Sequence, residues 1–449
     1  MSTPLLNAVA VTSASHSLPI AVIMRRLVSA LVPAYAALVP LVVLPIGTDR
    51  IGLCEPLLCL TAVGLLVGRP IARPRLVHIA FGVFLFATLL SLIQIDDPAL
   101  LPGSALRWLR LVAVISPLFL SLVLPADFQE VRRTLRAFFW GGGAAIACGL
   151  VIYWLQIPIH VNSQRFWLAN GQAPVLRASG LVGDTAAFGH LISVWGLVAL
   201  GTLWIEGRSG RIWKSCLIIA LVVYADLVSS SRAALLDVAG GCLTFLTLTA
   251  VSLRVRRNAV VVGIGVLLLG TGLLLGLSQS GLGSASGGGV LENSITRFVG
   301  SDDATLNGFS SGRFEGWAAL VPEFSEHPFL GMGYKTAQFL IPGHLADNAL
   351  LGIALESGLF GLIAILIALG SMLYGLVARH RMGNRYATLL LAIWVGQLLH
   401  GLTADTFTLW CTMPMLFLVT GLVLQMRAAP TESAHRPDRS FIPARGSLA

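Results

Sequence analysis

Apolar runs of about 20 residues recur along almost the whole 449-residue chain, and that recurrence limits what it can fold into. A hydrocarbon layer about 30 Å thick takes roughly 20 mostly apolar residues per helix. Inside it, every backbone N–H and C=O must be satisfied within the protein. Reading at that length gives twelve expected spans, at 27–46, 51–68, 76–94, 106–124, 137–157, 186–205, 212–230, 233–253, 259–278, 348–377, 387–403 and 406–424. The second opens on Glu55-Pro56, a polar and kinked start. The tenth is too long for one crossing and is expected to begin with a half-turn outside the main span. Only 11% of residues are charged and the mean hydropathy is +0.83, against about 25% charged in soluble domains. A soluble globular domain and a disordered chain are excluded, as is a nucleic-acid-binding domain despite the net charge of +9. The expected fold class is an all-α polytopic membrane protein.

Cys54, Cys59, Cys148, Cys216, Cys242 and Cys411 all fall in apolar runs without a C-x-x-C pair. They read as small core hydrophobes, with neither a disulfide framework nor a zinc site. The first 24 residues contain no Lys or Arg and are followed by Arg25-Arg26. A cleaved signal peptide carries its positive charge ahead of the apolar stretch, so 27–46 is expected to be a retained first span.

In so apolar a chain the basic residues report topology. Arg25/Arg26, Arg69/Arg73/Arg75, Arg132/Arg133/Arg136, Arg208/Arg211/Lys214, Arg254/Arg256/Arg257 and Arg379/Arg381/Arg385 occupy the N-terminus and alternate connections. Arg427, Arg436, Arg439 and Arg445 occupy the tail. Together they put 21 of the 30 basic residues on one side, expected to be cytoplasmic with both termini. The organisation is then a cytoplasmic segment 1–26, helices one to nine over 27–278 with an external loop at about 158–185, and a long external loop 279–347. The last three helices follow at 348–424, and a basic cytoplasmic tail at 425–449. Ser280 to Gly289 reads as a flexible linker. Phe314, Trp317, Val321 and Phe324 recur at helical spacing, as in a short surface helix ending between Pro322 and Pro328.

Arg50, Arg107, Arg110, Arg165, Arg177, Arg232, Arg297, Arg313 and Lys335 stand outside the cytoplasmic set. Arg107 and Arg110, three apart on one helix face, read first as snorkelling to headgroups. Arg232 follows Ser229-Ser230-Ser231 in a tight connection where nothing topological calls for a cation. With Arg313 in the next external loop it points to an anion site, and the planar guanidinium fork matches phosphate oxygens. No D-x-D, H-E-x-x-H or acidic triplet accompanies these arginines. Asp302-Asp303 is a single acidic pair that reads as solvation. No metal site is therefore expected. Asp226, His190 and His400 lie inside expected spans and should pair within the bundle.

Residues 311–361 read SGRFEGWAALVPEFSEHPFLGMGYKTAQFLIPGHLADNALLGIALESGLFG. This stretch resembles the O-antigen ligase and polymerase superfamily of bacterial envelope glycan assembly. The matching residues are Arg313 and Trp317, then His327-Pro328 with Gly331 and Gly333. Asp347, Asn348 and Leu351 follow, then Glu356, Gly358 and Gly361. Ser231-Arg232 resembles the family's Ser/Thr-Arg at the outer end of a central span. Arg177-Ala178-Ser179-Gly180 with Asp184 resembles the segment before its sixth span.

The resemblance implies a GT-C-like bundle in the bacterial inner membrane with its active site on the periplasmic face. It implies a metal-independent, inverting glycosyltransferase without a cofactor. The donor would be an undecaprenyl-pyrophosphate-linked glycan, and Arg232, Arg313 and Arg177 would hold its pyrophosphate. The acceptor would be a second lipid-linked unit in a polymerase, or lipid A–core in a ligase. Membrane lipids, and in some systems a chain-length regulator, would be the other partners, and nucleic acid would not. Ligases carry His before the Asn, where this chain has Asp347. Asp347 is therefore read either as general base for a sugar hydroxyl or as the cap of the next helix, with His344 as a fallback base. Asn348, Trp317, Lys335 and Asp184 are supporting residues. His327-Pro328 and Gly331-x-Gly333 read as a helix stop and tight turns, and Glu356 as a packing or hydrogen-bonding residue. A lipid-linked oligosaccharide transporter is the reading from another class. It would show pseudo-symmetric halves, whereas here the unusual polar residues gather in one external loop.

The topology is testable directly. Alkaline phosphatase fused after position 300 should be active in the periplasm, and fusions after Arg257 and Arg381 should be inactive there. The reverse pattern would invert the assignment.

Overall fold

In a computed structural model the apolar runs fold into a helical bundle. The structure describes residues 27, 30–41, 43–46, 49–52, 72–155, 177–207, 211–229, 231–253, 313–341 and 347–426. A short helix α1 (30–38) is followed by strands β1 (Val43–Ile46) and β2 (Asp49–Gly52). Then come α2 (Leu76–Ser91), α3 (Leu101–Leu120), α4 (Phe128–Trp154), α5 (Thr185–Ile205), α6 (Arg211–Ser229) and α7 (Arg232–Leu253). The C-terminal half contributes α8 (Arg313–Glu326), α9 (Ala337–Leu340), α10 (Ala349–Arg381), α11 (Arg385–Gly401) and α12 (Met413–Gln425).

Among the described residues six helices are long and apolar enough to cross a membrane: Leu76–Gln94, Leu101–Leu120, Phe128–Trp154, Thr185–Ile205, Ile212–Ser229 and Ala349–Arg381. Ala233–Thr249 and Met413–Gln425 are shorter apolar helices. These agree with expected spans three to eight, ten and twelve, and α11 occupies the eleventh. The expected ninth span and most of the second lie outside the described residues. So do the N-terminal segment, the basic tail and most of both external loops. The total of twelve is therefore an expectation tested only in part.

Helix α2 shows why such a bundle belongs in lipid. Leu76, Ile79, Val83 and Phe86 form an exposed stripe, while Val77, Phe81, Phe84 and Ala87 on the opposite side are buried. Both faces are apolar, so the outward one suits hydrocarbon rather than water. At the centre stands α5, with 89% of its apolar window buried. Its Phe188, Leu191 and Ile192 share one core with Trp394 of α11 and Phe417 of α12. Cys148, Cys216, Cys242 and Cys411 are free thiols, but only Cys411 is buried as a core hydrophobe would be; Cys216 and Cys242 are half-buried and Cys148 is exposed.

One expectation needs correction: the first span does not run as one helix to residue 46, because a short hairpin interrupts the otherwise helical fold. β1 and β2 pair antiparallel, Val43 opposite Gly52 and Ile46 opposite Asp49. Pro40 and Pro45 explain the end of the helix, since each removes a backbone donor and clashes with the preceding turn. The surface helix ends where expected, between Pro322 and Pro328: α8 carries Pro322 in its interior and runs to Glu326, burying Leu320 while Val321 faces outward.

The long tenth element explains itself at Gly358, whose backbone (φ 64°, ψ −165°) breaks α10 into two helices. The part from 359 to 381 measures roughly 34 Å at 1.5 Å per residue, enough for one crossing. The part from 349 to 357 is a separate half-helix, which answers the expected half-turn. The break frees backbone groups, and the turn after α8 takes them up. Leu359 N donates to Pro328 O (2.8 Å), Phe360 N to Phe329 O (3.2 Å), and Met332 N to Leu355 O (3.0 Å). A Cβ on Gly358 would lie 2.2 Å from the Phe329 carbonyl, and one on Gly331 (φ 71°) 2.4 Å from the Glu356 carbonyl carbon.

Gly358→Ala should therefore destabilise the protein by about 2–4 kcal/mol, combining the glycine-only backbone with the clash. Thermal unfolding in detergent should show the loss, and limited proteolysis should cut first between 327 and 341. Wild-type stability with an intact loop would disprove the docked turn.

Candidate active site

The residues singled out from sequence gather at one end of the bundle, because helix ends bring them there. Asp184 stands at the start of α5 and accepts from Ala186 N (2.8 Å) and Ala187 N (3.0 Å). Arg177, just ahead, donates from Nε to Ser229 O at the last residue of α6 (3.0 Å). That puts a cation on the negative end of a helix dipole. Arg232 is the first residue of α7, and its side chain lies outside the description. Two of the three serines before it are engaged structurally. Ser229 Oγ donates to Asp226 O (2.9 Å), and Ser231 Oγ accepts from Ala234 N (3.4 Å). Those hydroxyls close α6 and open α7.

On the other side of the site, the half-helix of α10 begins at Asn348. Its carboxamide oxygen accepts from Leu350 N and Leu351 N, both at 3.0 Å. The cap is thus Asn348 and not Asp347, and the capping alternative for Asp347 falls. Asn348 Nδ2 also donates to Leu402 O (3.2 Å), tying the start of α10 to the end of α11. Asp347, released from capping, pairs with Arg313 of α8 at 3.3 Å. The two side chains are 34% and 43% exposed, so the pair contributes about 0–1 kcal/mol and can exchange its partner for another anion. Trp317 stands one helical turn after Arg313 and is half-buried. His344 lies outside the described residues.

Lys335 has more partners than a supporting residue requires. Its ammonium lies 2.5 Å from Asp405 Oδ2 and 3.5 Å from Glu356 Oε2. Thr408 Oγ1 donates to the same Asp405 oxygen (3.0 Å). Lys335 is also the one non-glycine with positive φ (59°) among the described residues, a conformation held only when the surroundings over-determine it. Arg107 Nη1 donates to the Lys335 carbonyl (3.2 Å), with its guanidinium 4.8 Å from the Phe339 ring centre. This corrects the snorkelling reading of Arg107, which clamps the loop instead. Burial by itself would lower the Lys335 ammonium, but Asp405 and then Glu356 outweigh it and hold the group above its usual range.

Beneath the ion pairs lies a buried cluster of His190, Asp237, Gln397, His400 and Thr412. Asp237 Oδ2 accepts from Gln397 Nε2 (2.6 Å) and lies 3.4 Å from His400 Nδ1. His190 Nδ1 meets Thr412 Oγ1 at 2.6 Å, and its Nε2 faces Gln397 Oε1. The expected pairing of His190 and His400 inside the bundle holds, whereas the Asp226 carboxyl oxygens find no hydrogen-bond partner. Asp405, Asp237 and Gln397 were not singled out from sequence. The available signal was that a carboxylate or carboxamide inside an apolar run is costly and so calls for a partner.

Chemically, the arrangement offers the Arg313 guanidinium with an exchangeable counter-ion at the head of the half-helix. A carboxylate capable of accepting a proton stands beside it, and a lysine–carboxylate clamp shapes the adjoining loop.

Lys335→Met should cost about 1.5–3 kcal/mol, the usual worth of hydrogen bonds to charged groups, and loosen 331–341 to hydrogen exchange. Because the folded-state value is raised, the clamp is intact below the ordinary lysine value of 10.5 and is lost only as pH climbs through the higher folded value. A loop protection factor, corrected for the intrinsic base-catalysed rate, that falls between about pH 6 and 9 would contradict it.

Residues 216–366 match a family model described as O-antigen ligase. The matched stretch contains Arg232, Arg313, Lys335, Asp347 and the docked turn, which are the parts that build this end of the bundle. No curated protein matches the chain. The apolar helices identify a multi-pass membrane protein, and the match over 216–366 supports a relationship to the O-antigen ligase and polymerase superfamily.

Proposed function

We propose that the protein polymerises undecaprenyl-pyrophosphate-linked oligosaccharide repeat units into a surface or exopolysaccharide, at the periplasmic face of the bacterial inner membrane. The observation that carries this reading is the Arg313–Asp347 pair, a phosphate-binding cation whose resting counter-ion is the carboxylate best placed to act as base. The donor pyrophosphate displaces Asp347 from Arg313 and is held with Arg232, while Arg177 supports the same end of the bundle. Asp347, freed from its partner, faces the acceptor hydroxyl.

The acceptor oxygen then attacks the anomeric carbon from the face opposite the pyrophosphate. The new glycosidic C–O bond forms as the C–O bond to phosphate breaks, and the hydroxyl proton passes to Asp347. Undecaprenyl pyrophosphate leaves with the bonding electron pair, and the configuration inverts. Arginines aimed at the leaving group stabilise its growing charge. The donor bond already stores the energy, so no nucleotide is required outside the cytoplasm. Asn348 and the docked turn keep Asp347 and Arg313 at the same spot.

A second reading, transfer of the finished glycan to lipid A–core, is favoured by the description of the matched family. It shares donor, arginines and inversion, and differs in acceptor. Asp347 in place of the ligases' His favours the polymerase.

Purified protein with a lipid-pyrophosphate glycan donor tests the chemistry. Arg232→Ala and Arg313→Ala should each lower transfer by about 100-fold or more, with Lys substitution restoring only part because it lacks the fork. Asp347→Asn should be inactive and Asp347→His partly active. Full activity in both alanine variants would end the anion-site reading. In a deletion strain, single capped repeat units identify a lost polymerase, and intact polymer stranded on the carrier lipid identifies a lost ligase.

A further inference from the structure

The buried cluster below the ion pairs is not used by the transfer chemistry, and its composition asks for an explanation. His190, Asp237 and His400 come from three different helices, α5, α7 and α11, and all three are fully buried. One ligand atom from each lies within 4.8 Å of the others. Two of the polar atoms have no hydrogen-bond partner, Asp237 Oδ1 and His400 Nε2. An orphaned carboxylate oxygen in an apolar interior is expensive, and both orphans are lone-pair donors. The packing makes room for this carboxylate specifically. A Cβ on Gly396 would stand 2.2 Å from Asp237 Oδ1, so any larger residue there would displace it.

We propose that His190, Asp237 and His400 bind a divalent transition-metal ion that staples α5, α7 and α11 together beneath the transfer site. Two imidazoles and one carboxylate form a mixed nitrogen and oxygen set that suits zinc, cobalt or ferrous iron. Magnesium and calcium prefer all-oxygen shells. Ligand atoms on one such ion lie up to about 4 Å apart, given bonds of about 2.0–2.1 Å. A contraction of under about 1 Å would bring the observed spread onto one ion. The Gln397 carboxamide oxygen, already against His190 Nε2, supplies a fourth position. Outer partners are also in place. Thr412 Oγ1 holds His190 Nδ1, and Gln397 Nε2 holds the second Asp237 oxygen, the kind of support that orients metal ligands. His190 is the sixth residue of α5 and Asp237 the sixth of α7, while His400 is the next-to-last of α11. The ion would thus enter from the end of the bundle that carries Arg232 and Arg313. The role assigned is structural, so the proposal stands or falls independently of the transfer reading.

The test uses untagged full-length protein in detergent, stripped with a chelator and titrated with Co²⁺. About one ion should bind per chain, with the visible absorption of a low-symmetry Co²⁺ site that Zn²⁺ abolishes. The thermal midpoint of the stripped protein should rise on loading. His400→Asn and Asp237→Asn, which keep size and hydrogen bonding, should weaken Co²⁺ binding by at least about 10-fold. Should either variant fail to fold, the wild-type titration decides by itself. A monodisperse wild-type protein that shows no Co²⁺ spectrum and no thermal shift would overturn the site, leaving a hydrogen-bonded network only. Unchanged affinity in both folded variants would overturn it equally.

Discussion

The break in α10 at Gly358 is the constraint on which this end of the molecule depends. A helix interrupted in an apolar environment exposes backbone donors and acceptors that no water can satisfy. The turn at 328–332 satisfies three of them with its own backbone. That exchange holds the loop at a fixed height, and α8 with Arg313 is attached to it. Because the half-helix begins at Asn348, the same break puts Asp347 within reach of Arg313. The two glycines at the contact, Gly331 and Gly358, are required because backbone approaches backbone too closely for a Cβ. A motif that looks like two separate signatures, one after α8 and one in α10, is physically a single joint.

Around that joint, charge is arranged in two ways. At its rim the ion pair of Arg313 with Asp347 is half-exposed and weakly held, so an incoming anion can replace one partner at small cost. Further in, Lys335 is pinned by Asp405 and Glu356, with Arg107 on its carbonyl. This inner set is expensive to break and serves geometry. Helix caps do the rest of the positioning. Asp184 and Asn348 hold helix starts, Arg177 closes the end of α6, and the serines before Arg232 join α6 to α7. Polar residues that look alike in composition therefore divide into those that hold the frame and those left able to meet a ligand.

Much of this was legible beforehand. The apolar runs located α2 to α7 and α10 to α12, missing by nine residues at the start of α4 and seven at the start of α12, since one physical length governs each crossing. The excessive length of the tenth run forecast its division, and the departures of Arg232 and Arg313 from the charge rule marked this end of the bundle. Other features were not legible. The strands β1 and β2 stand where the first expected span was to continue as helix. Arg107 looked like a headgroup contact, yet it meets the Lys335 carbonyl 228 residues away along the chain. Asp347 and Asn348 were equally good caps by type, and only the actual direction of the chain selects Asn348.

Length, apolar periodicity and charge placement are local quantities, so the chain alone was enough to forecast a helical membrane bundle and to mark the end where the candidate site residues lie. Which carboxylate meets which cation is a matter of distance between segments far apart in sequence. Asp405 beside Lys335, Asp237 beside His400 and the turn docked on Gly358 follow from how the helices pack. No linear pattern encodes that packing in a form that can be read without folding it.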